Sequence, residues 1–242
     1  MGAALKSLEP DAAKAGYLAD ALGGADVSHN LNGQKLGRKG QATRERIMTA
    51  ALELIAEGGE VPISLSAVAR RANLGMTSLY LYFADLTELL LAVLRPVMED
   101  ATDGYFRELG EYWPDAELEE RCRSFVQAYF DFWTKHSRVL HLRNNMADQY
   151  DERMMAARVR TAQPTIALMR KQMALPGGQP SAQSGNMASV LMTGLERAVT
   201  VATDTVTPAM IERQFGPRNT NVVEPLTRLL LLAVRDCRQA AA

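Results

Sequence analysis

The segment Gly75-Met-Thr-Ser-Leu-Tyr-Leu-Tyr-Phe83 gathers the side chains of this sequence best suited to touching a nucleic acid. The hydroxyls of Thr77 and Ser78 can donate to or accept from a base edge, and Leu81 can meet a thymine methyl group. The phenols of Tyr80 and Tyr82 are good donors to phosphate oxygens, contacts that set register without reading sequence. Arg, Lys, Asn and Gln are missing from the segment, and the strong bidentate pairings with bases are missing with them. Part of any sequence preference must then come from DNA shape or from the basic run Lys35-Leu-Gly-Arg-Lys-Gly40. Its Lys35, Arg38 and Lys39 could reach an adjacent minor groove or the phosphates.

Other chemistries are poorly supplied. His136 and His141 stand five residues apart, splayed on any helix, with no cysteine or carboxylate cluster at ligand spacing, so no metal site is expected. No nucleophile elbow, phosphate-binding loop, zinc-protease helix or dinucleotide fingerprint occurs, and the chain reads as a non-enzyme without a cofactor. Cys122 and Cys237 are too far apart in sequence to imply a disulfide framework and read as small buried apolar residues. No apolar N-terminal stretch follows a basic region, and the longest apolar run, Leu229 to Val234, is far too short to span a bilayer. A cytoplasmic protein with no membrane partner is the expectation.

Side chains read DNA only when a frame holds them against a groove. Leu65, Val68, Ala69 and Ala72 fall at i, i+3, i+4 and i+7, one apolar stripe on a helix, and Met76, Leu79, Tyr80 and Phe83 repeat the spacing on a second. Asn73-Leu74-Gly75 supplies a short turn between them, which makes a helix-turn-helix whose second helix would lie in a major groove. A preceding helix over Thr43 to Glu57 presents Ile47, Ala51, Leu54 and Ile55 and ends at Gly58-Gly59. Ser64 suits the N-cap of the next helix, and Asp85-Leu-Thr-Glu88 has the spacing of a capping box that opens a fourth. Pro96 should kink or break that fourth helix.

Further helices are expected over 115–136, 138–150, 151–174, 186–206 and 221–239, with breaks at 176–185, at Thr207-Pro208 and at 215–220. No stretch alternates apolar and polar residues, so the fold class is all-α. Residues 1–40 read as an extension ending in the basic arm, with a short helix feasible over Asp11 to Leu22. Residues 41–84 form the helix-turn-helix head, and 85–242 a helical body. Between Lys35 and Phe83 seven basic residues face four acidic ones, while the chain as a whole carries a net charge of −1. A basic head on an acidic body fits a phosphate-binding surface.

In the body, Phe125, Tyr129, Phe132 and Trp133 recur on one helical face, and Met146 and Met169 come from neighbouring helices. Such a lining either packs as plain core or holds a small apolar effector. Apolar stripes on the last two long helices, with Leu191 and Leu195 on one and Leu226, Leu229, Leu230 and Ala233 on the other, would form a four-helix interface of a homodimer.

The stretch Thr43-Arg-Glu-Arg-Ile-Met-Thr-Ala-Ala-Leu-Glu-Leu-Ile-Ala-Glu-Gly-Gly59, then Leu65-Ser-Ala-Val-Ala-Arg-Arg-Ala and Leu79-Tyr-Leu-Tyr-Phe83, resembles the TetR family of one-component transcriptional regulators over about residues 41–95. The resemblance implies a symmetric dimer, in most cases a repressor, that sets one recognition helix from each subunit in adjacent major grooves of a palindromic double-stranded operator and is released by an effector. By position it implies that Thr77, Ser78 and Leu81 meet base edges, that Tyr80 and Tyr82 meet phosphate or base edges, and that Arg44 and Ser64 sit where helix starts meet the DNA backbone. The chain departs from the family pattern at Gly75, Met76 and Leu86, where Ser, Lys and Lys are frequent. These departures leave a rival reading, a helical ligand-binding or adaptor module that has lost specific DNA binding.

Overall fold

The protein is described by a computed structural model covering residues 22, 29–58, 63–204, 206–217 and 221–241. The helix expected over Asp11 to Leu22 falls, apart from Leu22, outside them. The described residues are helical with no strand; the sole β feature is an isolated antiparallel bridge between His29 and Lys35. In chain order the α-helices are α1 (Arg38–Glu57), α2 (Leu65–Arg71), α3 (Met76–Leu79), α4 (Leu86–Ala101), α5 (Leu118–Asp148), α6 (Glu152–Gln172), α7 (Ala182–Thr203), α8 (Thr207–Phe215) and α9 (Val223–Gln239). A π-turn over Thr102–Phe106 and a 3-10 turn over Asp115–Glu117 lie between α4 and α5. None of these helices is long and apolar enough to cross a membrane.

The boundaries differ from the sequence reading where local signals were overridden. α1 starts at Arg38, five residues early, so that Arg38 and Lys39 of the expected arm occupy its first turn, with Gly37 in extended conformation as the N-cap. Pro96 does not break α4. Its missing N–H costs one hydrogen bond, but the surrounding Val93, Leu94, Val97 and Met98 are buried and hold the helix straight through. The irregularity comes later, at Gly104, whose backbone is non-helical. The two helices expected over 115–136 and 138–150 are the two segments of α5, which meet at a kink where His136 is non-helical. Thr207-Pro208 starts a helix instead of breaking one. Proline is pre-set for the first turn, and Asp204 accepts from the Thr207 N–H at 2.9 Å and from its hydroxyl.

Two compact units divide these residues. The first takes the described residues up to Met98 together with Arg138–Arg158; the second takes Glu99–Ser137 and the described residues from Val159 onward. Compactness thus divides the chain differently from the linear reading at residue 84. The core of the first unit unites Ile47, Ala51, Val68, Leu79, Phe83, Leu89 and Val93 with Ala147 and Met154, all of them fully buried or nearly so. Val139, Leu142 and Met146 pack against the same cluster. The connection between α5 and α6 ends α5 in a Schellman motif, in which Asp151 N–H donates to Met146 O and Tyr150 N–H to Ala147 O, each at 3.0 Å. Tyr150 occupies the left-handed position of that motif, at φ 65°, where glycine is usual.

The second unit is organised around a buried cation. Arg238 donates from Nε to Gln172 O (2.9 Å), from Nη2 to Trp113 O (2.9 Å) and from Nη1 to Asp115 Oδ1 (2.5 Å), and its guanidinium lies over the Tyr112 ring. The Gln172 carboxamide completes the lock by donating to Leu109 O and Glu111 O and accepting from Trp113 N–H. Beside the break in α5, Asp100 accepts from Lys135 Nζ at 2.9 and 3.0 Å and lies 2.7 Å from His136 Nε2. These two neighbours, His136 first, hold the Asp100 carboxyl below its ordinary range against the opposing effect of burial.

Two stability outcomes follow from these features. Tyr150→Gly removes left-handed strain from a side chain that is 89% exposed, so the urea midpoint should rise by the equivalent of ~0.5–1 kcal/mol at constant slope. Arg238→Met strips two buried carbonyls of their charged donor and should lower stability by ~2–4 kcal/mol in the same measurement.

Candidate nucleic-acid interface

Ser64 caps α2 as its sequence implied, its hydroxyl accepting the Ala67 N–H at 3.3 Å. Leu65, Val68, Ala69 and Ala72 then face the core. The turn after α2 is a second Schellman motif: Leu74 N–H donates to Ala69 O (2.8 Å) and Asn73 N–H to Arg70 O (3.1 Å). The left-handed residue is Asn73, at φ 52°, and Gly75 instead takes an extended conformation as the N-cap of α3. Asparagine tolerates that conformation better than other non-glycine residues, which is why the turn closes without glycine at its corner.

The recognition segment was expected to be helical from Gly75 to Phe83, but regular α-helix covers only Met76–Leu79. Beyond it the turns tighten: Leu81 N–H donates to Ser78 O and Tyr82 N–H to Leu79 O, both i to i+3 bonds. Leu79 and Phe83 are fully buried, Met76 is half-buried, and Tyr80, expected on the same stripe, is 48% exposed. Thr77 is exposed, while Ser78, Leu81 and Tyr82 are half-buried. The five side chains chosen for base and phosphate contact therefore lie on one short segment anchored from beneath by Leu79 and Phe83. Lys35, Arg38 and Lys39 are exposed nearby in sequence, ahead of and within the first turn of α1.

Arg44, which the resemblance sets against the DNA backbone, is half-buried over the core of the head. Its guanidinium stands 5.0 Å from the centre of the Phe83 ring, and Nη1 lies 3.2 Å from Met48 Sδ. Burial lowers its pKa, with Glu88 opposing and Arg95 adding to the effect. Arg44 is thus a lid on Phe83. Arg71 is also committed within the fold, bidentate to Glu57 at 2.7 and 2.8 Å and reaching Glu53 at 3.3 Å. Arg70, next to it, is exposed, a cation the sequence reading did not single out.

The start of α4 closes a capping box with a variation. Glu88 N–H donates to Asp85 Oδ1 at 2.9 Å, while the Glu88 carboxylate accepts from Ala84 N–H at 2.6 Å, one residue before the cap. A second set of bonds ties this corner to the start of α6. Buried Thr87 donates from Oγ1 to Asp151 Oδ2 at 2.6 Å, and Asp151 Oδ1 caps α6 by accepting from Met154 N–H at 3.0 Å. Arg153 pairs with Asp85 at 2.8 Å. The segment that follows the recognition residues is therefore clamped by residues some 65 positions further along the chain, and no local sequence signal marks those partners.

The effector candidates divide between the units. Phe125, Tyr129, Phe132 and Trp133 are buried in the second unit around Tyr105, which the sequence reading missed; Tyr105 lies 4.8 Å from Tyr129 and 5.2 Å from Phe132, ring centre to ring centre. Met169 is buried in that unit too, but Met146 packs against the core of the first. Two open cavities of the second unit lie elsewhere. One of about 520 Å3 is lined by Phe106, Arg107 and Arg121 among others, and one of about 350 Å3 by Leu109, Tyr112, Leu168 and Lys171.

Residues 47–93 match the family model described as bacterial regulatory proteins, tetR family. Over these residues the head is similar to the TetR family. The TetR match runs from the α1 core through the recognition segment and its clamp, ending at Val93. The HTH-type transcriptional activator FasR of Mycolicibacterium smegmatis is 29% identical over 133 residues, which is 55% of this chain and 58% of the length of that relative. The fold extends the likeness further. The fatty acid degradation regulator FadR of Bacillus halodurans superposes with a TM-score of 0.55 at 17% identity, over 82% of this chain and 97% of that one.

If the Thr87–Asp151 bond is the clamp described, the two residues should be energetically coupled. A double-mutant cycle with Thr87→Val and Asp151→Ala should return a coupling of about 1 kcal/mol in denaturant unfolding, whereas simple additivity would deny the clamp.

Proposed function

We propose that the protein is a sequence-specific DNA-binding transcriptional regulator of the TetR type, acting as a homodimer on a palindromic operator and released by a small, largely apolar effector. The observation that carries this reading is the recognition segment itself. Thr77 and Tyr80 are presented to solvent on a TetR-family head whose interior residues Leu79 and Phe83 fix their position. Tyr80 and Tyr82 supply phosphate donors, Thr77, Ser78 and Leu81 the base contacts, and Lys35, Arg38 and Lys39 the neutralising charge.

The dimer face follows from what the subunit leaves uncovered. α7 and α9 pack on each other, and Leu191, Leu195, Leu230 and Ala233, expected at the interface, are consumed in that packing. Leu226 is half-buried. The residues left for a second copy are Val190 (69% exposed) on α7 with Leu229 (51%) and Leu232 (47%) on α9. Large apolar side chains left in the open on these two helices support an interface.

An effector that favours one spacing of the two heads over another shifts the population between DNA-binding and free forms. The apolar, aromatic interior around Tyr105 is compatible in chemistry with an apolar effector, and the structural relative is a regulator of fatty acid degradation. Linkage makes the effector bind more weakly when operator is present. Repression results where the operator overlaps a promoter; the mycobacterial relative is named an activator, and a reporter with the operator placed upstream or across the promoter separates the two signs.

The purified chain should enrich one palindrome from a randomised duplex pool at moderate salt. Leu229→Glu should convert a dimer into a monomer by light scattering at micromolar concentration and abolish that enrichment. A folded dimer that retains no DNA would transfer the protein to the class of ligand carriers or adaptors.

A further inference from the structure

Residues 29–35 precede the matched family segment and are built into a tight turn. Asn30 is its hub. Its backbone N–H donates to Gln34 O at 2.8 Å, and its carbonyl accepts from Gly33 N–H at 2.9 Å. Its side-chain Oδ1 accepts from the N–H groups of Asn32 (3.1 Å) and Gln34 (2.9 Å), while Nδ2 donates to Gln34 Oε1 at 3.0 Å. Gly33 takes the left-handed conformation the turn requires, and the His29–Lys35 bridge closes its ends. Leu36, buried, then anchors the chain before α1 begins.

This turn is fastened to the recognition segment. Leu31 N–H donates to the carbonyl of Leu81 at 3.0 Å, between the two tyrosines that carry the phosphate contacts. Asn32, Gln34 and Lys35 are all exposed on it, and among the described residues the Asn32 carboxamide and the Gln34 amide nitrogen make no hydrogen bond. These are the side-chain types that the segment 75–83 lacks. A carboxamide can pair with adenine in a bidentate way, and an ammonium can neutralise a phosphate, neither of which a threonine, serine or leucine can do.

We propose that the 29–35 turn is a second DNA-reading element, which extends each operator half-site beyond the base pairs met by Thr77 and Ser78 and selects flanking A·T pairs through Asn32 and Gln34, with Lys35 on the adjoining phosphate. The proposal rests on the regulator reading above. The order in the turn argues for it: a seven-residue turn that exposes the polar side chains of Asn32, Gln34 and Lys35 is held by main-chain and side-chain bonds at one fixed place, against the segment of the head that the regulator reading sets on DNA.

The test is selection from a randomised duplex pool with the full chain and two variants. Asn32→Ala with Lys35→Ala removes displayed groups whose loss should leave the thermal midpoint unchanged. Asn30→Ala opens the turn without removing any displayed group. The native chain should enrich a palindrome with preferences in a core and in flanks. The double variant should keep the core, lose the flanks, bind at least about tenfold more weakly and show a salt slope smaller by about one per subunit. Asn30→Ala should lose the same flanks, whereas Thr77→Ala with Ser78→Ala should lose the core alone. Unchanged flanks and affinity in the double variant would overturn the second reader while leaving the regulator intact. Failure of the native chain to enrich any sequence would overturn both.

Discussion

Phe83 is fully buried four residues beyond the end of a helix only four residues long, and most of what the head can do depends on that burial. An isolated helix of this length has no stability of its own, because nucleation costs more than one turn of hydrogen bonds returns. α3 exists because Leu79 and Phe83 are drawn into a core with Val68, Ile47 and Leu89, each such side chain contributing about 1.5–3 kcal/mol when removed from water. The exposed Thr77 and Tyr80 inherit their positions from the buried pair. Arg44 lying over the Phe83 ring belongs to the same arrangement, a cation that roofs the anchor.

Around that anchor the head is assembled from two distant stretches of chain. Ala147 and Met154 complete the hydrophobic cluster, and the Thr87–Asp151 and Asp85–Arg153 contacts fix the start of α4. Thr87 donates a hydrogen bond to a carboxylate that is itself capping another helix, so the two helix starts are fixed by one group. The second unit uses a comparable economy. One guanidinium, that of Arg238, satisfies the Gln172 carbonyl at the end of α6 together with the Trp113 carbonyl and the Asp115 carboxylate of the irregular segment after α4.

What the sequence revealed of this arrangement is the part governed by neighbours along the chain. Ser64, the Asp85–Glu88 pair and the stripes through Val68 and Leu79 depend on spacings of three and four residues, and each was readable. The interruption of α5 fell within two residues of its expected place. The features that were not readable depend on partners far away in sequence or on a choice between two adequate residues. Asn73 and Gly75 both suit a turn, and only the chain path decides that asparagine takes the left-handed position. Nothing local shows that Arg44 will lie over a phenyl ring, nor distinguishes a methionine of the body from one packed on the head, as with Met146. Leu191 and Leu230 show the same ambiguity, since a stripe that packs on its own subunit looks like a stripe that packs on a copy.

The interleaving of the head has a consequence for how the protein is made. Synthesis proceeds from the N-terminus, and every residue of the recognition segment leaves the ribosome long before Ala147 and Met154 do. Until residue 158 or so has emerged, the nascent head lacks part of its hydrophobic interior and the carboxylate that clamps Thr87. A growing chain therefore holds its reading surface in an unfinished state while the first part of the body is translated, and acquires a set recognition geometry only when the α5–α6 corner arrives to close it.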